Sequence, residues 1–310
     1  MWPLRVYQAE LLRDSRPTPR DFLRVSTPGP SRFEVGATPK TVLRDRIRLL
    51  SFTVAFLAMV GAFALPTLAS LAIVWAASRI ASLRHIAAFA LGVYLWFFVD
   101  TLGDSAYLGV NSGLGGGAGQ GALIVLFIAG ALVLSSIDGG PNRHHAGAGL
   151  WFGVPLLVAL GVGIHGFGEG AAFSSVAAST PAQDLVSAFG GLSPAVSFVT
   201  HKLIEPVIVG AVYLAYASEH AKSSSDTVRD LAILALVFVL PGLIGAAAGY
   251  SLTFDSTYVF AFGLGASTYA ATKVIGALSG SSDQSRWASA KTAFAIVLGF
   301  LSLYSAALFH

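Results

Sequence analysis

An all-α, polytopic membrane protein is the fold class this sequence predicts, and three observations predict it. Hydrophobic residues make up 55% of the 310 positions and charged residues only 11%, with a mean hydropathy of +0.71. The apolar residues gather into eight runs, each near or above the roughly 20 residues a membrane helix needs. The connections between runs are short and carry Gly, Ser, Asn and Pro, as in Gly139-Gly140-Pro141-Asn142.

Residues 1–48 form a zone of their own, rich in Arg and Pro and without sustained periodicity. Ten of the 19 Lys and Arg residues lie there. It is read as a basic, disordered tail whose charge suits lipid headgroups. The first apolar stretch begins near Leu49, too far in and too long for the core of a signal peptide. Residues 49–310 are read as a single eight-helix transmembrane domain, with span cores at 50–78, 85–108, 119–136, 149–174, 186–217, 229–250, 256–278 and 287–309. The first and fifth exceed the thickness of a bilayer, so tilt or protrusion is expected. Pro66 marks a place for a kink in the first.

Loop charges set the expected orientation. The loops after spans 1, 3, 5 and 7, with their flanking turns, carry Arg79, Arg84, Arg143, Lys222, Arg229, Arg286 and Lys291, whereas those after spans 2, 4 and 6 carry no Lys or Arg. The positive-inside tendency makes the first set cytoplasmic and the C-terminus external. Eight crossings then place the basic N-terminus outside as well, against the same tendency; four consistent loops are given more weight than one tail.

The chain has no cysteine, which excludes disulfides, thiolate zinc knots and cysteine catalysis. Its methionines are Met1 and Met59, too few for a thioether Cu(I) relay. No nucleotide-binding motif is present to couple the chain directly to ATP.

Six acidic or imidazole groups fall well inside spans: Asp100, Asp104, His165, Glu169, His201 and Glu205. Ionisable groups are rare in a bilayer, and there they face partners, a pore or an ion. These six form three i, i+4 pairs on spans 2, 4 and 5, and that spacing puts both members of a pair on one helix face. The pairs on spans 4 and 5 can converge into two imidazoles and two carboxylates, a donor set suited to Zn²⁺ and tolerated by Fe²⁺, Mn²⁺ or Cd²⁺. A hydrogen-bonded cluster that merely joins helices is the alternative.

Local sequence bears on this region. Gly161, Gly163, Gly166, Gly168 and Gly170 make span 4 bare enough for close helix approach. Pro206 cannot donate to the carbonyl of Lys202, which is left for an ion, a water or a packed kink. Lys202 itself either pairs with Asp100 or Asp104, or stands where a second cation would sit. Lys273, near the end of span 7, is expected to snorkel to the interface.

With these residues in view, the chain resembles the ZIP (Zrt/Irt-like) divalent-metal transporters. His165-Gly166-Phe167-Gly168-Glu169-Gly170 is similar to that family's His-Asn-x-Pro-Glu-Gly pattern, and His201-Lys202-Leu203-Ile204-Glu205 to its His-x-x-x-Glu pattern. Asp100 and Asp104 fall where the family often has a further pair, His144-His145 looks like a minimal form of its His-containing loop, and Leu240–Gly245 resembles its sixth helix. The resemblance implies a ZIP-like bundle of eight helices with both termini outside. It also implies a metal held by His165, Glu169, His201 and Glu205. Gly166, Gly168 and Pro206 depart from the family's Asn, Pro and Gly; with Gly166 and Lys202 in place, one metal is expected in preference to two.

The reading is a secondary transporter moving Zn²⁺, or a similar divalent cation, towards the cytoplasm. Asp100 and Asp104 would draw the ion in at the outer mouth, with Lys202 beside the path. The four ligands would replace its water midway, and His144 and His145 could take it on exit. The metal is substrate, not resident cofactor, and no enzymatic activity is expected. The expected partners are the divalent ion, the lipid bilayer and a second copy in a homodimer, with no nucleic acid; the expected place is the plasma membrane. The alternative is an intramembrane zinc-dependent hydrolase using the same ligands with a water in one position.

Overall fold

The computed structural model describes residues 49–111, 117–138, 150–182, 184–252, 256–279 and 289–308, with the side chains of 104–111, 117–118 and 277–279 left out. The basic tail therefore lies outside the described residues, as do Arg143, His144, His145 and Arg286, and nothing is described of Asp104 beyond its backbone. Apart from an isolated bridge between Leu49 and Pro181, every regular element among the described residues is a helix.

Helix α1 spans Phe52–Ala77 and begins where the Ser51 side chain accepts the N–H of Val54 at 3.3 Å, satisfying one of the donors that a helix start leaves free. It runs on through Pro66, and just beyond that residue the Thr67 hydroxyl donates to the carbonyl of Phe63 at 2.7 Å. Helices α2 (Leu83–Asn111) and α3 (Gly117–Ile137) follow. Helix α4 (Gly153–Ala177) is the most enclosed of the candidate spans, whereas α3 is the least.

The fifth predicted span is not one helix. Residues Leu185–Ala188 form a short separate turn, α5, capped by the Asp184 carboxylate on the N–H of Ser187 at 3.1 Å. Gly190 (φ 87°) and Gly191 (φ 116°) then reverse the chain in a region that L side chains rarely enter. Helix α6 (Leu192–Ile204) and helix α7 (Pro206–Glu219) meet at Glu205, which caps both. The cause is Pro206: it has no N–H and its fixed φ suits the first position of a new helix.

Helix α8 (Ser224–Ser251) starts on Ser223, whose hydroxyl accepts the N–H of Asp226 at 3.1 Å. Helices α9 (Ser256–Ser279) and α10 (Ala290–Ala307) complete the order. Among the described residues seven spans are long and apolar enough to cross a membrane, α6 and α7 counting as one. The exception is α9. Its 24 residues are long enough, about 36 Å at 1.5 Å per residue, but Ser256, Thr257, Ser267, Thr268, Thr272 and Lys273 dilute its apolar content. The physical reason is its position. Thr257, Phe260, Leu264, Ala266, Ser267 and Ala270 are buried against neighbouring helices, so much of its surface never has to face lipid.

Glycines set the closest helix contacts. A methyl group added at Gly170 on α4 would run into the carbonyl of Gly242 on α8, and one added at Gly245 would run into that of Phe167. The same reciprocal arrangement joins α3 to α9 through Gly130 and Gly265, and α2 to α10 through Gly92 and Gly299. Bare faces let backbones approach and gain dispersion contact, which is how helices associate where lipid removes the hydrophobic drive. Within this frame α2, α4 and the α6–α7 junction bring their ionisable residues to one place.

Candidate cation site

The elements that carry the site are those whose sequence is least helix-like. His165 and Glu169 share a face of the glycine-rich α4. His201 and Lys202 lie in the last turn of α6, and Glu205 occupies the break. Ending α6 at Ile204 holds Glu205 at a junction between two helices, with its side chain 2% exposed.

The centre of the cluster is an ammonium. Lys202 Nζ lies 2.5 Å from Glu169 Oε2 and donates to Glu205 Oε2 at 2.7 Å. Around it, His165 Nε2 stands 3.8 Å from Glu169 Oε1, and His201 Nε2 stands 3.9 Å from Glu205 Oε1 and 3.5 Å from Asp100 Oδ2. Lys202 is fully buried and His165, His201 and Glu169 nearly so, whereas the Asp100 side chain is 32% exposed.

Aromatic rings wall this cluster. The Lys202 ammonium sits 4.8 Å from the centroid of Phe63 and 5.7 Å from that of Phe198, within the range of a cation–π contact. The His165 ring lies between Phe97 at 5.3 Å and Phe260 at 5.1 Å. Its Nδ1 is buried with no hydrogen-bond partner among the described residues. Two glycines make the wall fit: a methyl at Gly166 would strike the Phe63 ring, and one at Gly168 the Phe260 ring. These are the positions at which the sequence departs from the Asn and Pro of the pattern it resembles.

Enclosed charges are costly unless each meets an opposite charge. Here two carboxylates share one ammonium, and Asp100 faces an imidazole. The arrangement offers one cation position between Glu169 and Glu205, with nitrogen donors to either side.

His165, Glu169, His201 and Glu205 are brought together, and Asp100 joins them through His201. They do not form a ready cage: among the described residues no group of three or more His, Asp or Glu side chains is arranged to hold a metal ion, and Lys202 stands between the two glutamates. The sequence leads one to expect Lys202 beside Asp100 or Asp104, or at a second cation's place. Its partners are instead Glu169 and Glu205, because its stem reaches across from α6 to α4. Lys273 does not reach only for an interface; it pairs with Asp138 at 2.5 Å, and Tyr269 donates to the same carboxylate at 2.6 Å. Asp104 as a side chain, and His144 and His145 altogether, lie outside the described residues.

Sequence reasoning missed Phe63, Phe97, Phe198 and Phe260. The signal was weak, since 21 phenylalanines are spread through apolar runs; the glycines facing two of those rings were the nearest clue.

No protein-family model matches this sequence, and no curated protein matches it significantly.

Proposed function

We propose that this protein is a secondary carrier of divalent metal cations, Zn²⁺ first among them, built as an eight-helix bundle of the ZIP type. One observation supports this above all: two carboxylates from different helices, Glu169 and Glu205, aim at a single cation position inside a buried, aromatic-walled cluster. A glutamate pair kept only to join helices would not need two imidazoles and a third carboxylate beside it.

In this reading the incoming ion meets Asp100, the most exposed member of the cluster, and takes the point that the Lys202 ammonium holds. Glu169 and Glu205 then neutralise its charge, while His165, whose Nε2 stands 3.8 Å from Glu169 Oε1, and the His201 imidazole replace water. Carboxylate and imidazole together suit ions of intermediate hardness. Helix α9 is the eighth crossing, tolerated by the bilayer because its polar side chains are satisfied inside the bundle. With the basic loops read as cytoplasmic, the flux in this reading runs towards the cytoplasm of a cell whose plasma membrane holds the protein.

The test is uptake into liposomes by the purified full chain, with Zn²⁺, Fe²⁺, Mn²⁺ and Cd²⁺ presented singly. The expected result is saturable uptake of at least one ion, lost in Glu169→Gln and Glu205→Gln. A wild-type protein that neither binds nor moves any of the four ions overturns the reading.

A further inference from the structure

We infer that the Lys202 ammonium is a resident counter-cation which lets the carrier reorient without cargo, making the protein a net carrier and not an obligate exchanger. The inference rests on the reading of this cluster as a cation carrier's site and concerns what happens when the site is empty.

A carrier working by alternating access passes through a form in which its site faces neither side. Two ionised glutamates enclosed in that form without a cation bear the full desolvation penalty and repel one another. Such a site crosses only when loaded, and a carrier that crosses only when loaded exchanges ions one for one. Here the missing charge is tethered to the chain. Lys202 Nζ touches Glu169 on α4 and Glu205 at the α6–α7 junction at once, joining the same two elements that a bound ion would join. All three side chains are buried, and the Phe63 and Phe198 rings lie within cation–π range of the ammonium. The empty site is therefore already compensated and already crosslinked.

The same tether shapes release. A divalent ion outbids one positive charge by bringing two, but each departure is helped by an ammonium ready to return, so the site holds its cargo less tightly than two bare glutamates would. The pair at Asp138 is a useful contrast. There one carboxylate is met by Lys273 and also by the Tyr269 hydroxyl, an arrangement that closes a helix contact.

The experiment compares two uptake rates of radioactive Zn²⁺ by the full chain in liposomes, one into empty vesicles and one into vesicles preloaded with Zn²⁺. For the wild type the two rates should agree within about threefold, since return of the empty carrier is not limiting. In Lys202→Gln, which keeps a polar side chain, one atom shorter and without the charge, the ratio of exchange to net uptake should rise by at least about tenfold. An unchanged ratio in Lys202→Gln overturns the inference. So does a wild type that is itself accelerated more than about tenfold by internal Zn²⁺, and that comparison stands even where the variant fails to insert. A wild type with exchange and net uptake both absent instead overturns the carrier reading beneath.

Discussion

Lys202 Nζ lies 2.5 Å from Glu169 Oε2 and fastens the last turn of α6 to the middle of α4. A buried ion pair is weak evidence for stability when compared with a packed apolar alternative, yet removing one partner is expensive because the other charge stays behind. In this cluster two carboxylates would stay behind.

Lys202→Met should therefore destabilise the protein by roughly 3–5 kcal/mol. Thermal unfolding in detergent should show the loss as a lower Tm, and excess Zn²⁺ should restore far more of it in the variant than in the wild type. A variant as stable as the wild type in metal-free buffer would show that the glutamates are not held ionised by this lysine.

His201→Ala should weaken Zn²⁺ binding by at least about a hundredfold while the chain still inserts. Loss of a group that merely orients a metal ligand already costs about 10–100-fold, and His201 stands among Asp100, Glu205 and the cation position. An ordinary lost helix contact is worth only about 1 kcal/mol. Calorimetry on the purified variant decides this, and unchanged affinity would remove His201 from the site.

Gly168→Ala should cost about 1–3 kcal/mol, the usual penalty of overpacking, because the new methyl meets the Phe260 ring. That ring lies against His165, so Zn²⁺ affinity should fall with stability. Gly61→Ala is the control: nothing lies within 4 Å of its added methyl, and helix propensity alone favours it by up to about 1 kcal/mol. Equal effects from the two would mean that the aromatic wall is not tightly packed.

Much of this was readable from the chain. The apolar runs mark the helices, and the i, i+4 spacing of His165 with Glu169 and of His201 with Glu205 marks the faces that meet. What periodicity cannot reveal is which charge answers which. Lys202 lies three residues from Glu205 and one from His201 along the chain, and neither separation says that its ammonium crosses to Glu169 on another helix. The break at Glu205 was half legible, since Pro206 was seen to cost a hydrogen bond but not to divide the span into α6 and α7. The Phe63 and Phe260 walls depend on Gly166 and Gly168, which lie on a different helix from either ring, a relation that exists only in three dimensions.

Asp138 and Lys273 should prove coupled. Asp138→Asn and Lys273→Met each break the 2.5 Å pair between α3 and α9, so the double variant should lose less than the sum of the singles, by about 0.5–3 kcal/mol. Strict additivity in a thermal-unfolding cycle would mean that the lysine finds lipid headgroups instead.

Orientation is open to direct labelling, since a chain without cysteine is a clean background. Ser179→Cys precedes α5 and Ser225→Cys lies in the first turn of α8, both at exposed positions. An impermeant thiol reagent added outside cells should modify the first and spare the second. The opposite pattern would invert the direction of flux.

Helix α9 has a consequence for how the protein is made. Two of its polar residues are answered by segments synthesised earlier: the Ser267 hydroxyl donates to the carbonyl of Gly161 at 3.0 Å, the Ser267 carbonyl accepts from Tyr94, and Lys273 meets Asp138. A segment diluted by Ser, Thr and Lys partitions poorly into lipid by itself. It leaves the ribosome, however, after α2, α3 and α4 have already been made. Taken as the proposed eighth crossing, α9 would enter the membrane by docking onto helices already made, and a chain from which α3 is deleted should fail to insert it.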